Sequence, residues 1–134
     1  MSPDENVQVV RRMITEAFEG GNFAVIDELA EGPSAAEARE VVTMLRTAFP
    51  NVRATIDDMV AQDDKVAYRG HFSGTHTGPL NQPMGSIPAT GKHAEWEAMI
   101  FHHMHNGKIA HTWAQVDVLG LMQQLGAMPG AGGQ

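Results

Sequence analysis

Asp117 closes a run of alternating residues, "HTWAQVD" (111–117), and precedes "VLGLMQQLG", whose apolar residues recur at helical spacing. An aspartate at such a junction has two possible uses. As an N-cap, its carboxylate accepts the free amide hydrogens of Leu119 or Gly120, which is enough to explain the residue. In a dry pocket at a strand end the same carboxylate can abstract protons, because desolvation raises its proton affinity. The two uses oppose each other, since amide donors at a helix start stabilise the anion. Proton abstraction beside a carbonyl also needs a donor for the oxygen that becomes negative, and a His or Gln side chain can supply it. His102, His111 and Gln115 are the candidates for that donor, and Trp96, Trp113 and Ile100 are candidate apolar walls.

These residues belong to a hairpin. Residues 92–104 and 108–117 alternate as strands and are joined through Asn106-Gly107, a strong two-residue turn signal. An unbroken register from His105 opposite Lys108 puts Trp96, Ala98, Ile100, His102 and Met104 on one face with Ile109, His111, Trp113, Gln115 and Asp117. The opposite face then carries Glu95, Glu97, Met99, Phe101, His103 and His105 with Ala110, Thr112, Ala114 and Val116.

The remaining elements must cover that sheet. "SPDE" (2–5) is a capping box, and Val7, Val10, Ile14 and Phe18 form the apolar stripe of a first helix ended by Gly20-Gly21. Asn22 is a candidate cap for a short helix carrying Phe23, Ile26 and Leu29. Ser34 and Glu37 repeat the capping-box spacing before a third amphipathic helix that stops at Pro50. "VRATI" (52–56) alternates as a strand, with a bulge expected near Asp57-Asp58. Val66, Tyr68 and Phe72 mark one face of the next strand. Segment 77–91 has Gly or Pro at six of its fifteen positions and reads as a loop. A short helix on Val118, Leu121, Met122 and Leu125 ends the domain, leaving 127–134 as a flexible tail.

The expected fold class is therefore α+β. One domain, residues 1–126, packs N-terminal helices on the concave face of a curved antiparallel sheet. A length of 134 residues suits one such core. Nine Lys and Arg against sixteen Asp and Glu give a net charge of −7, the wrong sign for nucleic acid or an anionic membrane. The absence of cysteine removes disulfides, thiolate nucleophiles and Cys-ligated zinc. With neither a signal-like N-terminus nor a membrane-spanning apolar run, a cytoplasmic location is expected. His103-x-His105 could present two imidazoles to a metal, but a third ligand would have to come from His71, His76 or His93, none at a distinctive spacing. No metal is assigned.

"GTHTG" (74–78), "PATGKHAEWEAMIF" (88–101), "NGKI" (106–109) and "TWAQVDVLGLMQQLG" (112–126) resemble the SnoaL-like polyketide cyclases, or ester cyclases, of the cone-shaped nuclear transport factor 2-like superfamily. The resemblance implies that the Asp of the Trp-x-x-x-Asp-x-Leu-Gly-Leu pattern, here Asp117, is the acid/base of an intramolecular aldol ring closure needing no cofactor or metal. It implies a small hydrophobic carbonyl substrate, and Asp117→Asn is expected to abolish turnover. Isomerase, dehydratase and epoxide hydrolase chemistry, or binding without catalysis, share the scaffold. His76 follows the family pattern and is expected either to contact substrate or to anchor its loop. By the same analogy the convex sheet face is expected to pair two copies into a homodimer or higher oligomer. The short "AEGPSA" between the second and third helices departs from the family's longer segment there and implies a more open pocket.

Overall fold

A computed structural model describes residues 2–83 and 85–127; of the expected tail, 128–134 lies outside the described residues. Helix α1 (Pro3–Arg12) starts at the Ser2 and Glu5 capping box, each side chain accepting the other residue's backbone N–H at 3.1 Å. A π-helical segment, Met13–Glu19, continues it to the Gly pair. The Arg46 guanidinium donates to the last carbonyls, Phe18 at 3.0 Å and Glu19 at 2.8 Å, satisfying acceptors that a helix end leaves free.

Helix α2 (Ala24–Leu29) follows Phe23, and Asn22 is not its cap. Helix α3 (Gly32–Ala48) begins before Ser34, so the expected capping box does not form there. Ser34 and Glu37 already lie inside the helix, and their side chains are free for other contacts.

The sheet has strand order β1-β2-β5-β6 and is antiparallel throughout, with β1 Arg53–Gln62, β2 Lys65–Thr75, β5 His93–His105 and β6 Lys108–Val116. Asp57 is bulged out between Ile56 and Asp58, as the sequence suggested. The segment read as plain loop contains a small hairpin, β3 (Leu80–Gln82) with β4 (Gly85–Ile87). Its strands are three residues each, too short for a periodic signal. Helix α4 (Val118–Leu125) closes the fold.

The Asn106-Gly107 turn forms with positive φ at both residues, 51° and 76°, and sets His105 opposite Lys108 and Met104 opposite Ile109. The expected register then fails. Ala110 is bulged out, so His103 faces His111, His102 faces Thr112 and Ile100 faces Ala114. One extra residue reverses the side-chain parity of the rest of β6. The bulge is tied to the helices: Ser34 Oγ donates to the Ala110 carbonyl at 2.5 Å and the Glu31 N–H to the Ile109 carbonyl at 3.0 Å.

Two apolar clusters fill the concave side. One joins Val10, Ile14, Ile26 and Leu29 to Val66, Met104 and Ile109; the other joins Leu45, Phe49 and Leu121 to Phe72, Trp96 and Ala98.

Candidate functional site: a concave cavity around His102

A cavity of about 430 Å³ lies between the helices and the concave sheet face. Val10, Met13, Ile14 and Phe18 line it from the first helix, and Ser34, Glu37, Ala38, Val41, Met44 and Leu45 from α3. Tyr68, Phe72, Trp96, Ile100 and His102 form its floor, with Ile109, Thr112, Ala114 and Val116 from β6. Such a volume suits a small ligand, and the surface is mostly apolar with few polar groups. Trp96 is 3% exposed and stacks on Phe72 with ring centroids 6.0 Å apart, which fixes one wall.

His102 is the buried titratable group of the cavity, 7% exposed. Its Nδ1 lies 2.8 Å from Thr112 Oγ1, and the Tyr68 ring sits 6.0 Å from the imidazole, centroid to centroid. Burial pushes the His102 pKa down to about 4, because the apolar walls penalise its charged form. The imidazole is therefore neutral at physiological pH. With Nδ1 engaged by β6, Nε2 is the nitrogen left for a ligand. Burial likewise raises the Tyr68 pKa, leaving a neutral phenol beside it.

Of the residues read from sequence, Trp96, Ile100 and His102 meet in this cavity. His111, Trp113 and Gln115 do not, because the Ala110 bulge turns them to the convex face. There the Trp113 ring stacks on His111 at 5.9 Å and meets Phe101 edge-on at 5.7 Å. Thr112 occupies the place that the unbroken register gave to His111. The sequence does not choose between the two registers: Ile109 and Trp113 are apolar on odd numbering and Ala110, Ala114 and Val116 on even, so either parity offers apolar residues to the core.

Asp117 is exposed and is not among the cavity-lining residues. Its Oδ1 accepts the Gly120 N–H at 2.9 Å, so it caps α4, and its own N–H donates to the Glu97 carbonyl at 3.0 Å. A Cβ at Gly120 would lie 2.3 Å from Asp117 Oδ2, so a larger residue there would push the capping carboxylate aside. The expected low-dielectric setting of Asp117 is thus corrected: Trp113 and Gln115 wall the other face, and the carboxylate is committed to the helix start.

His76 is fully buried but also lies outside the cavity lining. Its Nδ1 accepts the Thr90 N–H at 3.3 Å and lies 3.0 Å from the Thr90 hydroxyl, while its backbone joins Gly91 and Lys92. It anchors the loop that leads into β5. His103 and His105 each face a carboxylate, Asp64 at 2.7 Å and Glu31 at 3.1 Å, and among the described residues no three such groups converge as a metal site would need.

This helix-covered, curved antiparallel sheet around one apolar hollow is the architecture of the nuclear transport factor 2-like folds. The chain matches the SnoaL-like polyketide cyclase family over residues 5–125 and belongs to that family. Among solved structures it is similar to TsrD from Streptomyces laurentii, at 24% identity and a TM-score of 0.83, covering 96% of this chain and 99% of that one. AclR from Streptomyces galilaeus, a candidate hydroxylase, is 21% identical with a TM-score of 0.80, covering 96% of this chain and 85% of that one. IdmH from Streptomyces antibioticus, a candidate polyketide cyclase, is 23% identical with a TM-score of 0.73, over 90% and 98% of the two chains. At these identities the likeness shows the fold. No curated protein matches the sequence. The family is generally enzymatic, and membership supports a cyclase-type or related function. Among the described residues, no helix is long and apolar enough to cross a membrane.

Proposed function

We propose that the protein is a cofactor-independent acid/base enzyme that enolises a hydrophobic carbonyl compound in the concave cavity, most simply for an intramolecular aldol ring closure. The observation that carries this reading is His102, a buried neutral imidazole held by Thr112 in a mostly apolar hollow. A neutral imidazole in such a setting can donate a hydrogen bond to a developing enolate oxygen without an opposing change in its own charge. Trp96 and Ile100 pack the substrate. Asp117 is assigned to the α4 cap and not to the proton transfer, since its carboxylate accepts the Gly120 N–H and the residue does not line the cavity.

His102→Leu should lower turnover of a hydrophobic diketone by about 10²- to 10³-fold, the usual effect of losing one oxyanion donor, while ligand binding read by Trp96 fluorescence persists. Undiminished turnover in that variant would remove His102 from the mechanism.

The same reading includes a homodimer formed through the convex face, where Val60, Met99 and Trp113 are 66%, 63% and 57% exposed. They border a shallow apolar groove of about 440 Å³, and clustered exposed apolar surface of this kind favours a partner. Sedimentation should show a dimer that Met99→Lys converts to monomer; a wild-type monomer at all concentrations removes this part.

A further inference from the structure

Ser34 and Glu37 have the spacing of a capping box but do not form one, because α3 starts at Gly32. Ser34 instead pins the Ala110 carbonyl at the bulge, at 2.5 Å, which fixes where α3 lies against β6. From that point the helix and the strand run the same way: Phe49, at the far end of α3, packs on Trp96 with ring centroids 4.9 Å apart, and Trp96 lies beyond the end of the β5–β6 ladder. Three helical residues advance roughly 4.5 Å. Two strand residues advance roughly 6.6 Å. Glu37 and Thr112, whose hydroxyl holds His102, therefore both lie one step past the Ser34–Ala110 contact in the same direction, and both line the cavity.

Among the described residues lining the cavity Glu37 is the one carboxylate, and no Lys or Arg lines it. A hydrogen-bond donor without a base cannot enolise a ketone, and Asp117 is exposed, caps α4 and does not line the cavity. Resting on the enolisation reading above, we propose that Glu37 is the general base, working across the cavity from His102. The Glu37 carboxylate takes the α-proton, and the C–H electron pair becomes the enolate while His102 Nε2–H hydrogen-bonds its oxygen. The enolate carbon then forms a C–C bond to a second carbonyl of the same substrate. That carbonyl's oxygen takes the proton back from Glu37, so the ring closure is an isomerisation with no co-reactant. Glu37 itself is exposed in the free protein. An apolar ligand lying over it would strip away water, which strengthens a carboxylate as a base. The absence of a cationic partner also selects against substrates carrying a free carboxylate or phosphate, since Glu37 would repel them.

The test uses the full chain and a bicyclic ketone, 2-tetralone, whose α-protons exchange with deuterium on enolisation and are counted by proton NMR. Glu37→Gln should lose about a hundredfold or more of the protein-dependent exchange rate, within the range of a removed general base, while binding the ketone within a few-fold of wild type. Glu37→Asp should recover part of the rate. Because Glu37 is exposed, circular dichroism should show both variants folded. If Glu37→Gln exchanges at the wild-type rate while His102→Leu does not, the Glu37 assignment falls and the enolisation reading stands. If the change is confined to KM, Glu37 guards entry and is not the base. If wild type binds 2-tetralone and other neutral ketones without exchange, the enolisation reading falls and takes this inference with it.

Discussion

The two faces of the β5–β6 hairpin carry similar side-chain types in different surroundings. On the concave side His102, Trp96 and Ile100 sit under the first helix and α3, and the imidazole loses its affinity for protons because burial penalises its charged form. On the convex side His111, Trp113 and Phe101 stack in the open, and the nearby histidine on β2, His71, is pulled the other way. Its pKa is raised, first by the 2.9 Å hydrogen bond to Asp57. Histidine and tryptophan therefore do not mark a site by themselves; the face on which they fall decides their chemistry. On β6 that face is decided by one residue, Ala110.

Deleting Ala110 should have the largest effect. An unbroken ladder would drive His111, Trp113 and Gln115 under the helices, overfilling the hollow and burying unpaired polar groups. A loss of about 3 kcal/mol or more, or outright failure to fold, is expected in urea unfolding. A deletion variant as stable as wild type would mean that the bulge does not set the register.

Acid should separate the faces next. The unfolded His102 takes a proton near its ordinary value of 6.5, while the folded one resists until about 4. The unfolded state thus binds more protons across that window, and stability falls as pH drops through it, by up to about 3 kcal/mol at 1.36 kcal/mol per unit. His71 acts with the opposite sign: its contribution is present below 6.5 and fades as pH rises through its raised folded value. Urea unfolding repeated between pH 4 and pH 7 should show a steeper acid loss in wild type than in His102→Leu; equal slopes would place the effect elsewhere.

Thr112→Val sharpens the comparison at one atom. It keeps the shape but leaves His102 Nδ1 unpaired, which should cost about 1 to 2 kcal/mol and make the imidazole tautomers interchange, visible in nitrogen chemical shifts. The smallest effect belongs to Asp117. Asn is as good an N-cap as Asp, so Asp117→Asn should change stability by only a few tenths of a kcal/mol, and Asp117→Ala should cost about 1 kcal/mol. Neither should reduce turnover, and an inactive but folded Asp117→Asn would restore the carboxylate to the reaction.

Local chemistry made much of this molecule legible in advance. Ser2 and Glu5 make the cap their spacing describes, Asn106-Gly107 makes the tight turn, Asp57 bulges, and the odd-even pattern of Trp96 to Met104 faces the core. Each of these is settled within a few residues, where backbone sterics and hydrogen bonding leave few choices. The cavity as a site was legible only in part. The sequence placed His102, Trp96 and Ile100 on the concave face because β5 keeps its period, whereas the placement of His111, Trp113 and Gln115 was lost with the period of β6. The same break took Thr112 out of view.

By itself the sequence determined the main helices and the four long strands, the hairpin turn, the family and an acidic chain without cysteine. Tertiary structure alone decided which parity of β6 looks inward, because the bulge is held by Ser34 and Glu31, far away in the chain. It also set Asp117 as the cap of α4 and released Ser34 and Glu37 from an expected cap. Those choices depend on which distant groups reach a given amide, carbonyl or imidazole, and spacing along the chain carries no record of that.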